Sequence, residues 1–108
     1  MVDNISGGKS AAIVGYLTII GTVIALFMNN EKKNPIASFH IRQALGIFVT
    51  FHGLGYIIGS FDSWAVTLGL WVFIFVLWIF GIAAAAQGQI KPVPIVGEFY
   101  QKIFKNVQ

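Results

Sequence analysis

The sequence predicts an all-α, polytopic membrane protein with three transmembrane helices and a C-terminal amphipathic helix lying in the membrane interface. Three observations carry that reading. First, 56% of the 108 residues are hydrophobic and only 10% are charged, whereas a soluble domain has about a quarter charged residues. A chain this short has too little interior to hide so many Phe, Ile, Val and Leu side chains, so the bilayer is the available solvent. Second, three long runs carry no charge. Third, the charged residues fall between and after those runs. The chain has room for a single membrane domain, residues 1–108. It has no cysteine, which excludes disulfides and thiolate metal sites.

The first run, 11–28, reads AAIVGYLTIIGTVIALFM. At ~1.5 Å per residue it is just long enough for a helix across the ~30 Å hydrocarbon core. A signal peptide is the rival reading. The run is longer than the usual apolar region of ~7–15 residues, and the following Asn29-Asn30-Glu31 is no small-residue cleavage site. A polar turn leads to Asn34-Pro35, a helix start with Asn as cap and Pro at the first helical position. The second helix is expected over 36–59. A tight connection over 60–63 follows, in which Asp62 or Ser63 can cap the third helix, expected over 64–86. Lys91-Pro92-Val93-Pro94 then breaks the helix. Over 95–107 the period is helical again. Ile95, Val96, Phe99, Tyr100, Ile103, Phe104 and Val107 fill one half of the wheel, and Glu98, Gln101, Lys102 and Lys105 the other. Phe99, Ile103, Lys102 and Lys105 are the expected contacts of this tail with the interface.

Three spans place Lys9 on one side and Lys32, Lys33, Arg42, Lys91, Lys102 and Lys105 on the other. The positive-inside rule then predicts the N-terminus outside and the C-terminus in the cytoplasm, with the tail lysines against the anionic leaflet.

Polar residues in and beside the apolar runs are the candidate sites. His40, Arg42 and Gln43 crowd one turn at the mouth of the second helix. They are expected either to serve topology and headgroup contacts or to form a docking or headgroup site with the tail helix. His52 lies about 18 Å further along, deep enough that an ionisable side chain is a functional candidate. It shares a face with Gly55, Tyr56 and Gly59, whose small-xxx-small spacing admits another helix closely. The plainer reading is a neutral His52 hydrogen-bonded across that contact, to Tyr16 or Thr18. Trp64, Trp71 and Trp78, seven apart, form a stripe on the third helix. Trp64 suits the interface belt. Trp71 and Trp78 lie deeper and need acceptors that lipid tails do not offer. The stripe either faces lipid or forms an aromatic seam against a partner or a second copy.

Catalytic constellations are not in the sequence. The four acids, Asp3, Glu31, Asp62 and Glu98, all lie outside the runs. The two histidines are too far apart on one helix to share a metal and have no carboxylate companion. No cofactor, metal or nucleic acid is expected. Ser6-Gly7-Gly8-Lys9-Ser10 lacks the spacing and the preceding strand of a phosphate loop.

Tyr16-Leu17 in the first run, followed by a lysine-containing turn and Phe39-His40-Ile41-Arg42-Gln43-Ala44-Leu45, resembles small bacterial membrane proteins similar to the chloroplast import component of the inner-envelope translocon. These are largely a family of unknown function. Phe39, His40, Arg42, Gln43, Ala44 and Leu45 match its signature at the opening of the second helix, and the resemblance covers roughly residues 11–86. It implies a small component of the bacterial inner membrane with three or four spans. The expectation is a non-enzymatic accessory or structural subunit of a larger inner-membrane complex, with protein transport or secretion as its candidate process. Its partners would be the lipid bilayer and other membrane subunits, or further copies of itself. The alternative is a self-assembling channel, transporter or holin-like protein. For a pore lining the runs supply only Thr18, Thr22, Thr50, His52 and Thr67.

Overall fold

The computed structural model describes residues 2–31 and 33–107, with side chains from Gly8 onward. These residues form five helices and no strand: α1 Val2–Leu17, α2 Ile19–Asn29, α3 Pro35–Gly59, α4 Trp64–Ala86 and α5 Gly97–Ile103. Lys32, counted above among the basic residues, lies outside the described residues. The molecule is elongated, 49 × 22 × 21 Å.

Among the described residues only α3 and α4, at 25 and 23 residues, are long and apolar enough to cross a membrane. Their boundaries match the sequence expectation almost residue for residue, because their ends carry local signals. The Asn34 side chain accepts from the Ile36 and Ala37 N–H groups at 2.9 and 3.3 Å, with Pro35 at the first helical position. At α4 the cap is Ser63, which accepts from Val66 N–H. Asp62 takes the positive-φ position of the connecting turn instead (φ 53°).

The first apolar run departs from expectation. Residues 11–28 do not form one helix. The chain becomes extended at Thr18 (φ −154°, ψ 173°) and folds back. Thr22 Oγ1 reaches Gly15 O at 2.7 Å, and a Cβ on Gly15 would lie 3.5 Å from the Ala25 Cβ. On a continuous helix those pairs would be about 10 and 15 Å apart. α1 and α2 are therefore an antiparallel hairpin. Four features hold its tip, three from the run itself and one from α4. Thr18 Oγ1 caps α2 by accepting from Gly21 N–H at 3.0 Å. The Thr22 hydroxyl satisfies the Gly15 carbonyl. The Trp78 indole N–H donates to the Tyr16 carbonyl. Gly21 has no Cβ, and one there would sit 2.2 Å from Val14 O. These contacts take up donors and carbonyls that a broken helix leaves without intrahelical partners.

The hairpin packs along one half of the α3–α4 pair. Gly8 lies beside Asn34 and Ile36 at the start of α3, and Gly15 beside Ile41 and Ala44. Ala12, Tyr16, Ala44, Ile47, Leu77 and Ala85 make the main core. Ala11, Ala25, Ala37 and Ile41 make a second one between hairpin and α3. From the level of Gly8 to Leu17 the hairpin advances only about 14 Å, against about 37 Å for the whole of α3. The 30–34 connection, the start of α1 and the tail thus share one half of the molecule, and the 60–63 turn stands alone at the other. The placement of Lys9 opposite the other basic residues is corrected accordingly. All six described basic residues lie in the half away from the 60–63 turn.

The tail breaks at Pro92 and Pro94 as the sequence implies. Its helix is shorter than 95–107, and its apolar half is divided. Tyr100 is buried against α3, with its ring over Gly46, where a Cβ would lie 2.2 Å from the ring carbons. Phe99 and Ile103 are exposed.

Candidate functional site

His40 and Gln43, one turn apart on α3, point into the gap between α1 and the 87–93 segment and are wholly buried. Tyr16, also buried, meets them from α1. The Gln89 carbonyl can only accept, so the His40 Nε2 that faces it at 2.7 Å carries the proton. Nδ1 is then the acceptor, and it takes the Tyr16 hydroxyl proton at 2.7 Å. The same phenol oxygen accepts from Gln43 Nε2 at 2.8 Å, and Gln43 Oε1 accepts from Val93 N–H at 2.8 Å. One chain of hydrogen bonds therefore runs from the tail segment through Gln43, Tyr16 and His40 back to the tail segment. It fixes a neutral His40 in one tautomer. The Tyr16 ring lies over Gly81 of α4, so this side chain of α1 touches both α3 and α4.

Arg42 faces the other way, toward the tail. Its Nε donates to Val107 O at 2.8 Å, with a longer contact of 3.4 Å from Nη1 to Gln101 Oε1. Gln101 Nε2 donates in turn to Phe39 O at 2.8 Å. Thr50 and Tyr100 share a hydrogen bond of 2.6 Å. Burial pushes the Tyr100 phenol above its ordinary value, and the bond to Thr50 acts in the opposite direction. Beside the 30–34 connection, Asn29 Nδ2 donates to Ser38 Oγ, and Asn29 Oδ1 accepts from Asn34 N–H, both at 2.8 Å.

The residues His40, Arg42 and Gln43 are thus brought together with the tail. Both ring nitrogens of His40, both amide atoms of Gln43 and Nε and Nη1 of Arg42 are bonded within the molecule. Among the described residues no buried side-chain nitrogen or oxygen is without a partner, and no three His, Asp or Glu residues converge as a metal site. What the arrangement does chemically is join three elements: a clasp. Sequence reasoning missed Tyr16, Gln89 and Gln101 as its other members. The available signal was the pair of Gln residues in or beside apolar segments, where an amide is costly unless bonded.

The second group, His52, Gly55, Tyr56 and Gly59, meets nothing comparable. His52 is exposed, and no hydrogen bond is formed by it among the described residues. The expected partner Tyr16 belongs to His40, and Thr18 caps α2. Tyr56 is 87% exposed. A Cβ on Gly59 would meet no atom within 4 Å, and one on Gly55 only Leu70 Cδ2 at 4.0 Å. Within this chain the glycine face is unoccupied. It floors two adjoining grooves between α3 and α4, of about 400 and 490 Å³, which share Gly59, Thr67 and Trp71.

The three tryptophans do not act as one seam. Trp78 turns inward to the hairpin tip. Trp71 stands edge-on to Phe51 (5.0 Å, 81°) on the groove wall. Trp64 is 78% exposed near the turn. An apolar cleft of about 250 Å³ under the hairpin tip separates the two halves, lined by Leu17, Ile47, Phe51, Ile74, Phe75 and others. In the tail, Lys102 and Lys105 are exposed beside Phe99 and Ile103.

No protein-family model matches the chain, and neither a curated protein nor a solved structure matches it.

Proposed function

We propose that this chain is a non-enzymatic assembly subunit embedded in a membrane by two spans, α3 and α4, with the α1–α2 hairpin re-entering one leaflet. The observation that carries the reading is a division of labour. In the clasp half Tyr16, His40, Arg42 and Gln43 are bonded within the molecule, whereas the turn half exposes Tyr56, Trp64 and Trp71 around open grooves, with Phe61 and Phe75 also exposed. In water that surface would be a large apolar patch. In a bilayer it is a normal lipid or subunit surface.

Topology follows from the fold-back. A hairpin advancing about 14 Å enters roughly half of the ~30 Å core. Extended backbone at that depth is tolerated where protein groups satisfy it, and Trp78 and Thr22 do so. The six described basic residues share one half, and Asp62 is the charged residue of the opposite turn. The positive-inside rule assigns the basic half to the cytoplasm. Both ends of the chain then face the cytoplasm, in place of the outward N-terminus that three spans require. The resemblance of Phe39–Leu45 suggests the bacterial inner membrane and protein transport or secretion as the setting.

A channel draws less support. Of the five polar side chains available for a lining, Thr18, Thr22 and Thr50 are engaged inside the fold. Extraction in mild detergent followed by native mass measurement tests the subunit reading. A stoichiometric assembly is the expected species. A lone chain that conducts ions in liposomes would favour the channel.

A further inference from the structure

We infer that the α3 face bearing His52, Gly55, Tyr56 and Gly59 is a self-pairing interface, on which a second copy of this chain docks about a two-fold axis along the membrane normal. The inference rests on the membrane reading above and names the partner that reading leaves open.

His52 is exposed on a helix whose surroundings in this half are hydrocarbon, and it makes no hydrogen bond among the described residues. A polar side chain there is costly unless partnered, so its partner comes from outside the fold. Phe51 stands edge-on to both Trp71 and His52, which holds the imidazole at the rim of the groove.

The face is complementary to itself. Two copies inserted the same way and related by a two-fold axis along the normal meet at equal depth, and each contact occurs twice. A knob and its hole must then lie at one level of one face. Tyr56 is 87% exposed and sits between Gly55 and Gly59, where a Cβ would meet only Leu70 Cδ2 at 4.0 Å and nothing within 4 Å, respectively. The ring of one copy can enter the glycine notch of the other while its own notch receives the second ring. Helical side chains lean toward the N-terminus of their helix, so the Tyr56 hydroxyl points toward the level of His52. A neutral imidazole offers one donor and one acceptor, and a phenol offers both. Tyr56 of each copy can therefore bond His52 of the other, which gives each of the four side chains one hydrogen-bond partner without a third protein. The glycines allow the close backbone approach that helix pairs in membranes use.

The chain has no cysteine, so single cysteines report the interface in native membranes. Gly59→Cys fits, since a Cβ there meets nothing within 4 Å. Mild oxidation should convert it to a covalent homodimer. Ile57→Cys, exposed on the far side of the helix, should stay monomeric. Within the Gly59→Cys background, His52→Leu and Tyr56→Phe should each lower the dimer yield roughly threefold to tenfold at low density. Gly55→Leu fills the notch and should abolish it. Its Cβ touches only Leu70, so the fold survives. Reaction of Val76→Cys, exposed in the middle of α4, with a water-soluble maleimide separates the two levels of failure. Rapid labelling in intact membranes would overturn the membrane reading itself. An inert Val76→Cys with no Gly59→Cys homodimer, or with an adduct to a different protein instead, would overturn self-pairing alone.

Discussion

The two halves of α3 carry similar amounts of polar chemistry and use it in opposite ways. In the first half His40 is wholly buried and bonded at both ring nitrogens. Twelve positions on, His52 is exposed and bonded at neither. The first half meets α1 and the tail through His40 and Gln43, and the tail reaches as far as Thr50 through Tyr100, whereas the grooves at His52, Gly55, Tyr56 and Gly59 are lined by residues of α3, α4 and the turn between them. A histidine in an apolar sequence is therefore informative about its neighbours more than about its own chemistry. Where neighbours with matching donors exist it becomes a structural joint. Where they do not, it marks a place that another molecule completes.

Substitutions can break or sharpen that contrast. The largest effect is expected from Gly21→Val. Its Cβ would overlap the Val14 carbonyl, the hairpin cannot close, and about 3 kcal/mol or more is lost, read as rapid protease cleavage within residues 2–30. Next comes Tyr16→Phe, which leaves both His40 Nδ1 and Gln43 Nε2 buried without a partner. At about 1–3 kcal/mol for each orphaned group, thermal stability in detergent should fall clearly. Arg42→Ala should cost about 1 kcal/mol, and its signature is local. Amides over 97–107 should exchange faster while those of α4 are unchanged. The smallest effect on the isolated chain is expected from His52→Leu, within about 0.5 kcal/mol, because nothing in the fold bonds it. A loss as large as that of Tyr16→Phe would erase the distinction between the halves.

The sequence was most legible where caps and breakers act locally. Asn34-Pro35, Ser63 and Pro92-Val93-Pro94 each satisfy or forbid backbone hydrogen bonds within a few residues, so the ends of α3 and α4 and the break before the tail could be read directly. The break at Thr18 could not. Gly15, Thr18, Gly21 and Thr22 are tolerated in a continuous helix, and the run 11–28 has a spanning helix's length. The contacts of Thr18, Gly21 and Thr22 form only once the chain has turned, and the Tyr16 carbonyl freed there is taken by a group distant in sequence, the Trp78 indole. Similarly, His40, Arg42 and Gln43 were recognisable as a site and as a contact with the tail. Their partners Gln89, Val93 and Val107 act through backbone groups, which carry no residue signature. The need of Trp78 for an acceptor was legible, and the identity of that acceptor was not.

The central claim is that the first apolar run turns back within one leaflet, and its sharpest test is the sidedness of single cysteines at Asn4, Asn30 and Phe61 in oriented membranes. The fold-back requires Asn4→Cys and Asn30→Cys to be labelled by an impermeant maleimide from the same side, with Phe61→Cys labelled from the other. Labelling of Asn4→Cys together with Phe61→Cys, opposite Asn30→Cys, would mean that residues 11–28 cross the membrane, and would contradict the hairpin.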